Sequence, residues 1–414
     1  MRSDFRTPPR QGRRVQENVG NGQGRDCAVH VSRRRQWGAA DSLSMSSFVA
    51  ADRFEPYEGK PDKNRLIAAY RGEQIDRVPN FEVLIEDDHV TKMLGRKAGN
   101  TLGVGGETAK GAAASESVNR PMYPGDYIEI CRIIGQDCMC VEAMWTPLKK
   151  RTPDGGRESF FDKSFKSRKD LDRIIWPGDA EMEKTLGFVR EYVAEAAGTG
   201  IGVCIGGASM FQTLYEFVIG MHDCLIMAME EPGLLTELME RSADYYEELF
   251  RRAIGEGIDI LLLGDDFAFN QGLFLPLSVF EKIWRPAYER IMTPALDANI
   301  PIKFHSDGRL DEAMDMLIDM GFDCINPLDP SGIDFADYKK RYGARVSLSG
   351  GIDLTFPLIR GTPEDVERVV RDVCGVMMPG GRWEAASSHS IVNYIPHENF
   401  IAMINAIHKY GRYE

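Results

Sequence analysis

The feature that most constrains the fold of this chain is a repeated alternation of short apolar segments with amphipathic, helix-compatible segments. Strand–helix alternation of this kind is typical of an α/β protein with a parallel sheet, and eight repeats predict a (β/α)8 TIM barrel. A doubly wound open sheet is the alternative, but no G-x-G-x-x-G turn follows a first strand. The predicted strands are residues 79–86, 137–145, 201–207, 258–266, 300–307, 323–329, 345–353 and 382–389.

Two insertions interrupt the predicted barrel, which occupies residues 60–414 as a single domain. Residues 98–118 are small and rich in glycine, which predicts a loop rather than a regular element. Residues 146–165 predict a hairpin that follows the second strand and turns at Asp154–Gly155.

An N-terminal extension, residues 1–48, differs from the rest of the chain in composition. It contains nine arginines and four acidic residues and lacks apolar periodicity, so we expect it to be disordered. We interpret it as upstream sequence translated from a misplaced start, with Met45 opening the protein. An arginine-rich targeting peptide is the alternative, although the extension contains no apolar core of the signal-peptide kind.

Composition argues against several classes of function. The net charge of −13 makes nucleic acid an unsuitable main partner, because phosphate binding requires a basic surface. The chain has no apolar run of about eighteen residues, so no membrane-spanning helix is predicted. The eight cysteines are scattered without a C-x-x-C pair, which indicates buried thiols in a reducing compartment and a cytoplasmic protein.

Polar residues gather at the carboxyl ends of the predicted strands. In a (β/α)8 barrel these ends meet at one mouth, where the chemistry takes place. A mouth that is rich in carboxylates and imidazoles suits metal binding or general acid–base catalysis. The acidic, amide and imidazole side chains at these ends include Glu82, Glu86, Asp265, Asp266, His305, Asp307, Asn326, Asp329, Asp353 and His389.

Several of these residues also have simpler structural interpretations. Asp266 is as well explained by a capping role as by a functional one, and Asp307 would serve as the N-cap of a helix starting near Leu310. A single histidine such as His305 is more often a hydrogen-bonded core residue than a metal ligand. Asp329 lies in a turn-like stretch where an aspartate needs no further function.

The chain contains the segments IDILLLGDD, KFHSDG, DCINPLDP, SLSGGID and GGRWEAASSHSIVNYIPHENFIAMINAIHKYGRY. Taken together, these segments resemble the uroporphyrinogen decarboxylase-like superfamily. The resemblance extends over roughly residues 60–414, with the segments in order, and it implies a (β/α)8 barrel. The superfamily contains the decarboxylases of haem biosynthesis and the cobamide-dependent methyltransferases, and the pattern here is closest to the methyltransferases.

The methyltransferase branch implies a zinc ion held by an H-x-C motif and a later cysteine. Here the H-x-C-G position reads H-x-D-G, with His305, Asp307 and Gly308, and the later cysteine falls where Ser388 or His389 stands. The resemblance therefore implies His305, Asp307 and His389 as ligands of zinc or another divalent metal. A metal without thiolate ligands is more electrophilic and suits polarising an oxygen or nitrogen atom of a substrate.

The decarboxylase branch is the alternative. True uroporphyrinogen decarboxylases carry an arginine-rich MRQAGR motif that holds the substrate, whereas the corresponding strand here reads RVPNFEVLIEDD. Its acidic residues would repel a substrate rich in carboxylates, so the resemblance favours the methyltransferases.

We therefore expect a corrinoid-dependent methyltransferase that acts on a small methylated substrate or methyl acceptor. Its methyl-corrinoid would be supplied by a partner protein, because no D-x-H-x-x-G cobalamin-binding signature occurs in the chain. Glu82, Asp265, Asp266 and Asn326 are candidate catalytic residues that would orient the substrate. A metal-free decarboxylase of tetrapyrrole biosynthesis and a non-catalytic binding protein are the alternatives, and the sequence leaves homodimerisation open.

Overall fold

The barrel region of the chain folds as helices alternating with the strands of a parallel sheet. The α/β barrel class predicted from the sequence is therefore confirmed. The extension 1–48 and residues 103–118 of the predicted loop lie outside the described residues. The computed structural model describes residues 53–57, 59–102, 121–143, 150–151, 158–159, 163–174 and 176–413.

Seven parallel strands form the main sheet among the described residues, and their order in the sheet follows their order in the chain. Each neighbouring pair is parallel, as in the register of Gly264 with His305 and of His305 with Asn326. Parallel neighbours need crossover connections, which the helices supply. The strands are β1 (Cys138–Ala143), β2 (Gly202–Gly207), β3 (Ile260–Gly264), β4 (Ile302–His305), β5 (Cys324–Leu328), β6 (Ser347–Gly350) and β7 (Trp383–Glu384).

The eighth position of the barrel is filled by an extended segment, residues 79–86, rather than by a regular strand. Asn80 forms a parallel bridge with Ala385, next to β7. On the other side, the N–H of Asp137 donates to the carbonyl oxygen of Asn80 at 3.4 Å, next to β1. The segment therefore lies between the last strand and the first, and it closes the barrel.

Local chemistry explains why this first predicted strand is irregular. Pro79 has no N–H to donate to a neighbouring strand. The N–H of Glu82 donates to the side-chain oxygen of Gln136 at 3.0 Å, and that of Ile85 donates to the Thr101 hydroxyl at 2.8 Å. These donors are satisfied by side chains, so the ladder of backbone hydrogen bonds that defines a strand does not form.

One helix between the strands shows how local sequence sets its two ends. The amphipathic stretch 234–257 forms the helix Pro232–Glu256, which starts with a proline and is followed by Gly257 at φ 100°. The helices are α1 (Lys63–Arg71), α2 (Asp87–Leu94), α3 (Pro124–Ile134), α4 (Asp179–Ala196), α5 (Met221–Glu230), α6 (Pro232–Glu256), α7 (Leu277–Ile283), α8 (Arg285–Asp297), α9 (Met314–Met320), α10 (Phe335–Tyr342), α11 (Pro363–Met377) and α12 (His397–Tyr410), with shorter helical segments at Arg168–Arg173, Met210–Thr213, Leu214–Val218 and Leu354–Ile359.

Side chains fill the interior of the barrel. Cys138, Cys140, Cys204 and Cys324 lie in one buried cluster with aliphatic and aromatic neighbours. Burial raises the pKa of the Cys138 and Cys324 thiols well above the usual value, so both stay protonated. The described cysteines are all buried and free, which confirms the prediction of buried, unpaired thiols for this part of the chain.

Two short hairpins lie outside the main sheet in the described part of the chain. Lys150–Arg151 pairs antiparallel with Glu158–Ser159, as predicted for the insertion after the second strand, although its turn at Asp154–Gly155 lies outside the described residues. A second hairpin, which was not predicted, pairs Ala268–Phe269 with Gly272–Leu273 after β3. No helix among the described residues is long and apolar enough to cross a bilayer.

Candidate active site

Three side chains converge at the carboxyl ends of β3 and β4. Asp266, His305 and Asp307 each place one oxygen or nitrogen atom within 4.8 Å of the others, an arrangement that could hold a metal ion. His305 Nε2 lies 3.8 Å from Asp307 Oδ1. Two carboxylates and one imidazole form a three-residue ligand set that leaves further coordination positions open, as catalytic metal sites require.

A tight turn after β4 presents Asp307. Its N–H donates to Asp266 Oδ1 at 2.8 Å, which joins the ends of the two strands. Gly308 has φ 94°, and a Cβ there would lie 2.6 Å from the carbonyl carbon of Ala268 in the second hairpin. The following helix begins at Met314, so Asp307 does not act as its N-cap. The turn requires a glycine because the hairpin backbone packs directly against it.

Asp266 is held in place by residues that follow β2. The Gln212 side chain donates to Asp266 Oδ2 at 3.1 Å, and the Tyr215 hydroxyl donates to the Asp266 carbonyl oxygen at 2.9 Å. The pKa of Asp266 is raised above its ordinary value. Burial is the largest cause, the nearby His305 opposes it, and the Asp307 carboxylate adds to it. The carboxylate of Asp266 therefore lies beside His305 and Asp307, and the hydrogen bond from Gln212 fixes its orientation.

His389 lies beside this group. Its Nε2 is 3.4 Å from Asp307 Oδ2, whereas His305 Nε2 lies nearest the other oxygen, Oδ1. The side chains of His305, Asp307 and His389 are 32%, 36% and 44% exposed, so a small molecule could reach them. The structure thus brings the three predicted metal-binding residues together and adds Asp266, which had been predicted as catalytic.

Asn326 contacts the ring of His305 rather than the open mouth. His305 Nδ1 and Asn326 Oδ1 are 2.7 Å apart, and Asn326 is buried. The Asn326 amide nitrogen donates to the Ser349 hydroxyl at 2.8 Å. Both ends of the amide are therefore engaged, and the contact fixes the ring plane of His305.

Glu82 is buried at the seam that closes the barrel. Its carboxylate accepts hydrogen bonds from the Ser387 N–H at 2.6 Å and from the Ser387 hydroxyl at 2.8 Å. Burial raises the pKa of Glu82 to about 7, although both hydrogen bonds oppose this rise. The contacts join the first extended segment to the residues that follow β7.

Asp265, although adjacent to Asp266, is fully buried and faces the core. Its carboxylate accepts from the backbone N–H groups of Phe211 (2.9 Å) and Gln212 (2.6 Å). It also accepts from Trp284 Nε1 and from the Tyr288 hydroxyl, each at 2.9 Å. Burial raises its pKa to about 7. Four protein donors occupy this carboxylate, so its surroundings are those of a structural group.

A cavity of about 200 Å³ opens beside Asp307 and His389. Asp329 and Asp353 both line it, and each also makes local hydrogen bonds: Asp329 accepts from the Ser331 N–H at 2.9 Å and Asp353 from the Thr355 N–H at 2.6 Å. Among the described residues that line the cavity, none is a lysine or an arginine. The full lining is Asn270, Asp307, Gly308, Asp329, Ser331, Asp353, Leu354, Thr355, Ser388 and His389.

Comparison with known proteins agrees with this architecture. The sequence profile of the family described as Uroporphyrinogen decarboxylase (URO-D) matches residues 61–410. The methylcobamide:CoM methyltransferase MtaA of Methanosarcina barkeri is 22% identical over 366 residues, which are 84% of this chain and 98% of that protein. A uroporphyrinogen decarboxylase of Methylococcus capsulatus is 26% identical over 182 residues, which are 44% of this chain and 50% of the decarboxylase.

A solved structure supports the fold. The structure of a methyltransferase from Methanosarcina mazei superposes with a TM-score of 0.63 at 16% sequence identity, covering 85% of this chain and 99% of that one. The profile match spans nearly the whole barrel region, from the start of α1 to the end of α12. The chain therefore belongs to the uroporphyrinogen decarboxylase (URO-D) family.

Proposed function

We propose that this protein is a methyltransferase that moves a methyl group between a small substrate and a corrinoid carried by a partner protein. The observation that carries the proposal is the convergence of Asp266, His305 and Asp307 at the barrel mouth, next to a cavity. The near full-length similarity to a methylcobamide:CoM methyltransferase supports the same class of reaction. The cysteines of the described residues are buried and unpaired, which is consistent with a cytoplasmic enzyme.

The donor set suits zinc or another divalent cation. Asp266 and Asp307 offer carboxylate oxygens and His305 an imidazole nitrogen, and two negative charges would balance a divalent ion. When bound, such an ion supplies Lewis-acid activation of a substrate oxygen or nitrogen. His389 stands 3.4 Å from Asp307 and would serve as a fourth ligand or as an acid–base group beside the substrate.

The charge of the cavity bears on the substrate. Asp307, Asp329 and Asp353 line it without a lysine or arginine among the described lining residues. A substrate with several carboxylates would be repelled here, whereas a neutral or cationic one would be favoured. The volume of about 200 Å³ is also below the range of about 300–1,000 Å³ that is typical of drug-sized ligands. We therefore propose a small, uncharged or cationic methyl donor or acceptor.

A carboxy-lyase is the second candidate. It is favoured by the 26% identity to a uroporphyrinogen decarboxylase, although this match covers only half of that protein. The two candidates differ in cofactor, because the decarboxylase alternative needs no metal.

Metal content and methyl transfer together test the proposal. Purified wild-type protein is expected to contain about one equivalent of divalent metal, and His305→Ala to lose it. His222→Ala is the matched control, because the His222 side chain is 83% exposed and hydrogen-bonds only to its neighbour Asp223 among the contacts described. Turnover is measured as demethylation of methylcobalamin, alone and on a corrinoid protein, with alcohols, phenols, amines and thiols as acceptors.

The outcomes separate the candidates. Metal retention in His222→Ala, metal loss in His305→Ala and parallel loss of methyl transfer support the proposal. Metal-free wild-type protein that decarboxylates uroporphyrinogen would replace it with the second candidate. Wild-type protein that binds metal but transfers no methyl group to or from any corrinoid would overturn the assigned reaction.

A further inference from the structure

A buried ion pair lies directly beneath the candidate active site. Lys303 precedes His305 by two residues on β4, so both side chains point into the barrel. Lys303 Nζ lies 2.7 Å from Glu384 Oε1, and neither side chain is exposed. Tyr70 donates its hydroxyl hydrogen to Glu384 Oε2. The pKa of Tyr70 is raised well above its usual value, mainly by burial and secondly by the charge of Glu384. An ammonium and a hydroxyl group thus both donate to this side chain, so Glu384 is a carboxylate surrounded by donors.

A chain of hydrogen bonds joins this carboxylate to His305. Ser349 Oγ lies 2.7 Å from Glu384 Oε1, Asn326 Nδ2 lies 2.8 Å from Ser349 Oγ, and Asn326 Oδ1 lies 2.7 Å from His305 Nδ1. The participating residues come from β4, β5, β6 and β7, which are neighbours in the sheet. The chain crosses the barrel interior from its buried centre to its mouth.

The direction of each hydrogen bond follows from the carboxylate. An ionised carboxylate only accepts hydrogen bonds, so the Ser349 hydroxyl must donate its single hydrogen to Glu384. The Ser349 oxygen then accepts from the NH2 group of Asn326, which turns the amide oxygen of Asn326 toward His305. An amide oxygen only accepts, so the hydrogen of a neutral His305 ring must sit on Nδ1.

We propose that Glu384, Ser349 and Asn326 are positioning residues that hold His305 in the Nδ1–H tautomer and aim the Nε2 lone pair at the barrel mouth. His305 Nε2 is 3.8 Å from Asp307 Oδ1, too far for a hydrogen bond that would favour the opposite tautomer. The Nε2 lone pair is the one that a metal or a substrate proton would meet. This inference rests on the proposed function only in one respect, namely that the lone pair meets a metal or a substrate proton.

The tautomer can be measured directly. Protein labelled with 15N in histidine and freed of metal would be examined by NMR at about pH 8.5, where an ordinary imidazole is neutral. The His305 resonances are identified by their absence in His305→Gln. Wild-type protein is expected to show the shifts of a protonated Nδ1 and an unprotonated Nε2 at His305. The Nε2–H tautomer in the wild type would overturn the proposal.

Two serines on β6 provide a matched pair of variants. Ser349→Ala removes the link to Glu384 and is expected to populate the Nε2–H tautomer. Ser347→Ala removes an equally buried hydroxyl that donates to the Ala69 carbonyl oxygen at 2.7 Å, outside the chain of hydrogen bonds, and should leave the tautomer unchanged. Ser349→Thr retains the hydroxyl and should restore the wild-type tautomer. Identical His305 spectra in Ser349→Ala and Ser347→Ala would overturn the proposal.

Metal affinity is an independent readout. Loss of an outer partner of a ligating histidine typically weakens metal binding about 10–100-fold, so Ser349→Ala should bind Zn²⁺ about that much more weakly than Ser347→Ala in a chelator competition. Should Ser349→Ala fail to fold, Asn326→Ala tests the last step of the chain, because it removes the amide oxygen that accepts the hydrogen of His305 Nδ1. An unchanged proportion of the Nδ1–H tautomer in Asn326→Ala would then count against the proposal. Failure of methyl transfer would leave the tautomer result intact, so the two hypotheses are tested separately.

Discussion

The ion pair of Lys303 and Glu384 allows a quantitative prediction about stability. Both side chains are fully buried and the charged atoms are 2.7 Å apart. At an effective dielectric constant of about 20, Coulomb attraction at this distance is about 6 kcal/mol. Removing both ions from water costs several kcal/mol for each, so the pair as a whole contributes little net stability. Removing one partner is different, because it leaves the other charge buried and unpaired.

The prediction is tested by a double-mutant cycle. Lys303→Met and Glu384→Gln are each expected to lower the free energy of unfolding by about 3–5 kcal/mol. The double variant should lie within about 2 kcal/mol of the wild type, because neither charge then remains. The resulting coupling energy is at least about 4 kcal/mol, and it is measured by urea unfolding followed by circular dichroism and fluorescence.

A surface pair serves as the control for this cycle. Arg285 Nε lies 2.6 Å from Glu289 Oε1 on α8, and both side chains are partly exposed. Its coupling energy should be only about 0.3–0.5 kcal/mol, although its distance is similar. Additive losses in the double variant of Lys303 and Glu384, or single losses below about 1 kcal/mol, would refute the reasoning that both charges are buried and mutually dependent.

Three further predictions follow from the site and its supports. Gly308→Ala should lower the free energy of unfolding by about 1–3 kcal/mol, since φ is 94° and a Cβ would meet the Ala268 carbonyl carbon at 2.6 Å; thermal unfolding measures the loss. The pKa of Glu82 is about 7 in the folded protein, against an ordinary 4.5. The contribution of Glu82 to the free energy of unfolding is therefore complete below about pH 4.5 and is lost as the pH rises through 7. Glu82→Gln should reduce that decline by about 1.4 kcal/mol per pH unit, as read from unfolding at several pH values. Zn²⁺ at about one hundred times its Kd should stabilise the wild type by about 2.7 kcal/mol and His305→Ala not at all, as calorimetry with and without a chelator would show.

Controls are available for each of these variants. Gly187 lies within α4 and a Cβ there would meet no atom within 4 Å, so Gly187→Ala should be neutral or stabilising. Equal stability of Gly308→Ala and Gly187→Ala would contradict the steric reasoning at Gly308. An unchanged pH profile in Glu82→Gln would contradict the raised pKa of Glu82. A metal-induced shift in His305→Ala equal to that of the wild type would place metal binding elsewhere.

The fold was predictable because its information is local and repeated. Apolar runs bounded by turn residues mark the strands, and amphipathic stretches mark the helices, so each element could be recognised from a short window. The predicted strands are longer than the observed ones, as with 300–307 against Ile302–His305. Only the first, 79–86, lacks regular strand structure, because side chains satisfy its backbone donors.

The ion pair carried a sequence signal that was overlooked. Lys303 stands in the middle of an apolar strand and Glu384 directly follows a buried tryptophan. A charged residue at such a position is almost never fully buried without a partner. Their pairing could not be read from the sequence, because 80 residues separate the two and the barrel brings them together.

The sequence by itself determined that polar residues would meet at one mouth, because parallel strands end on the same side of a sheet. Only the tertiary structure decided which of them touch. Asp265 and Asp266 are adjacent in sequence, yet successive residues of an extended chain point in opposite directions, so Asp265 enters the core while Asp266 joins His305 and Asp307. The chain of hydrogen bonds from Glu384 to His305 likewise exists only because four strands, distant in sequence, lie side by side in the closed barrel.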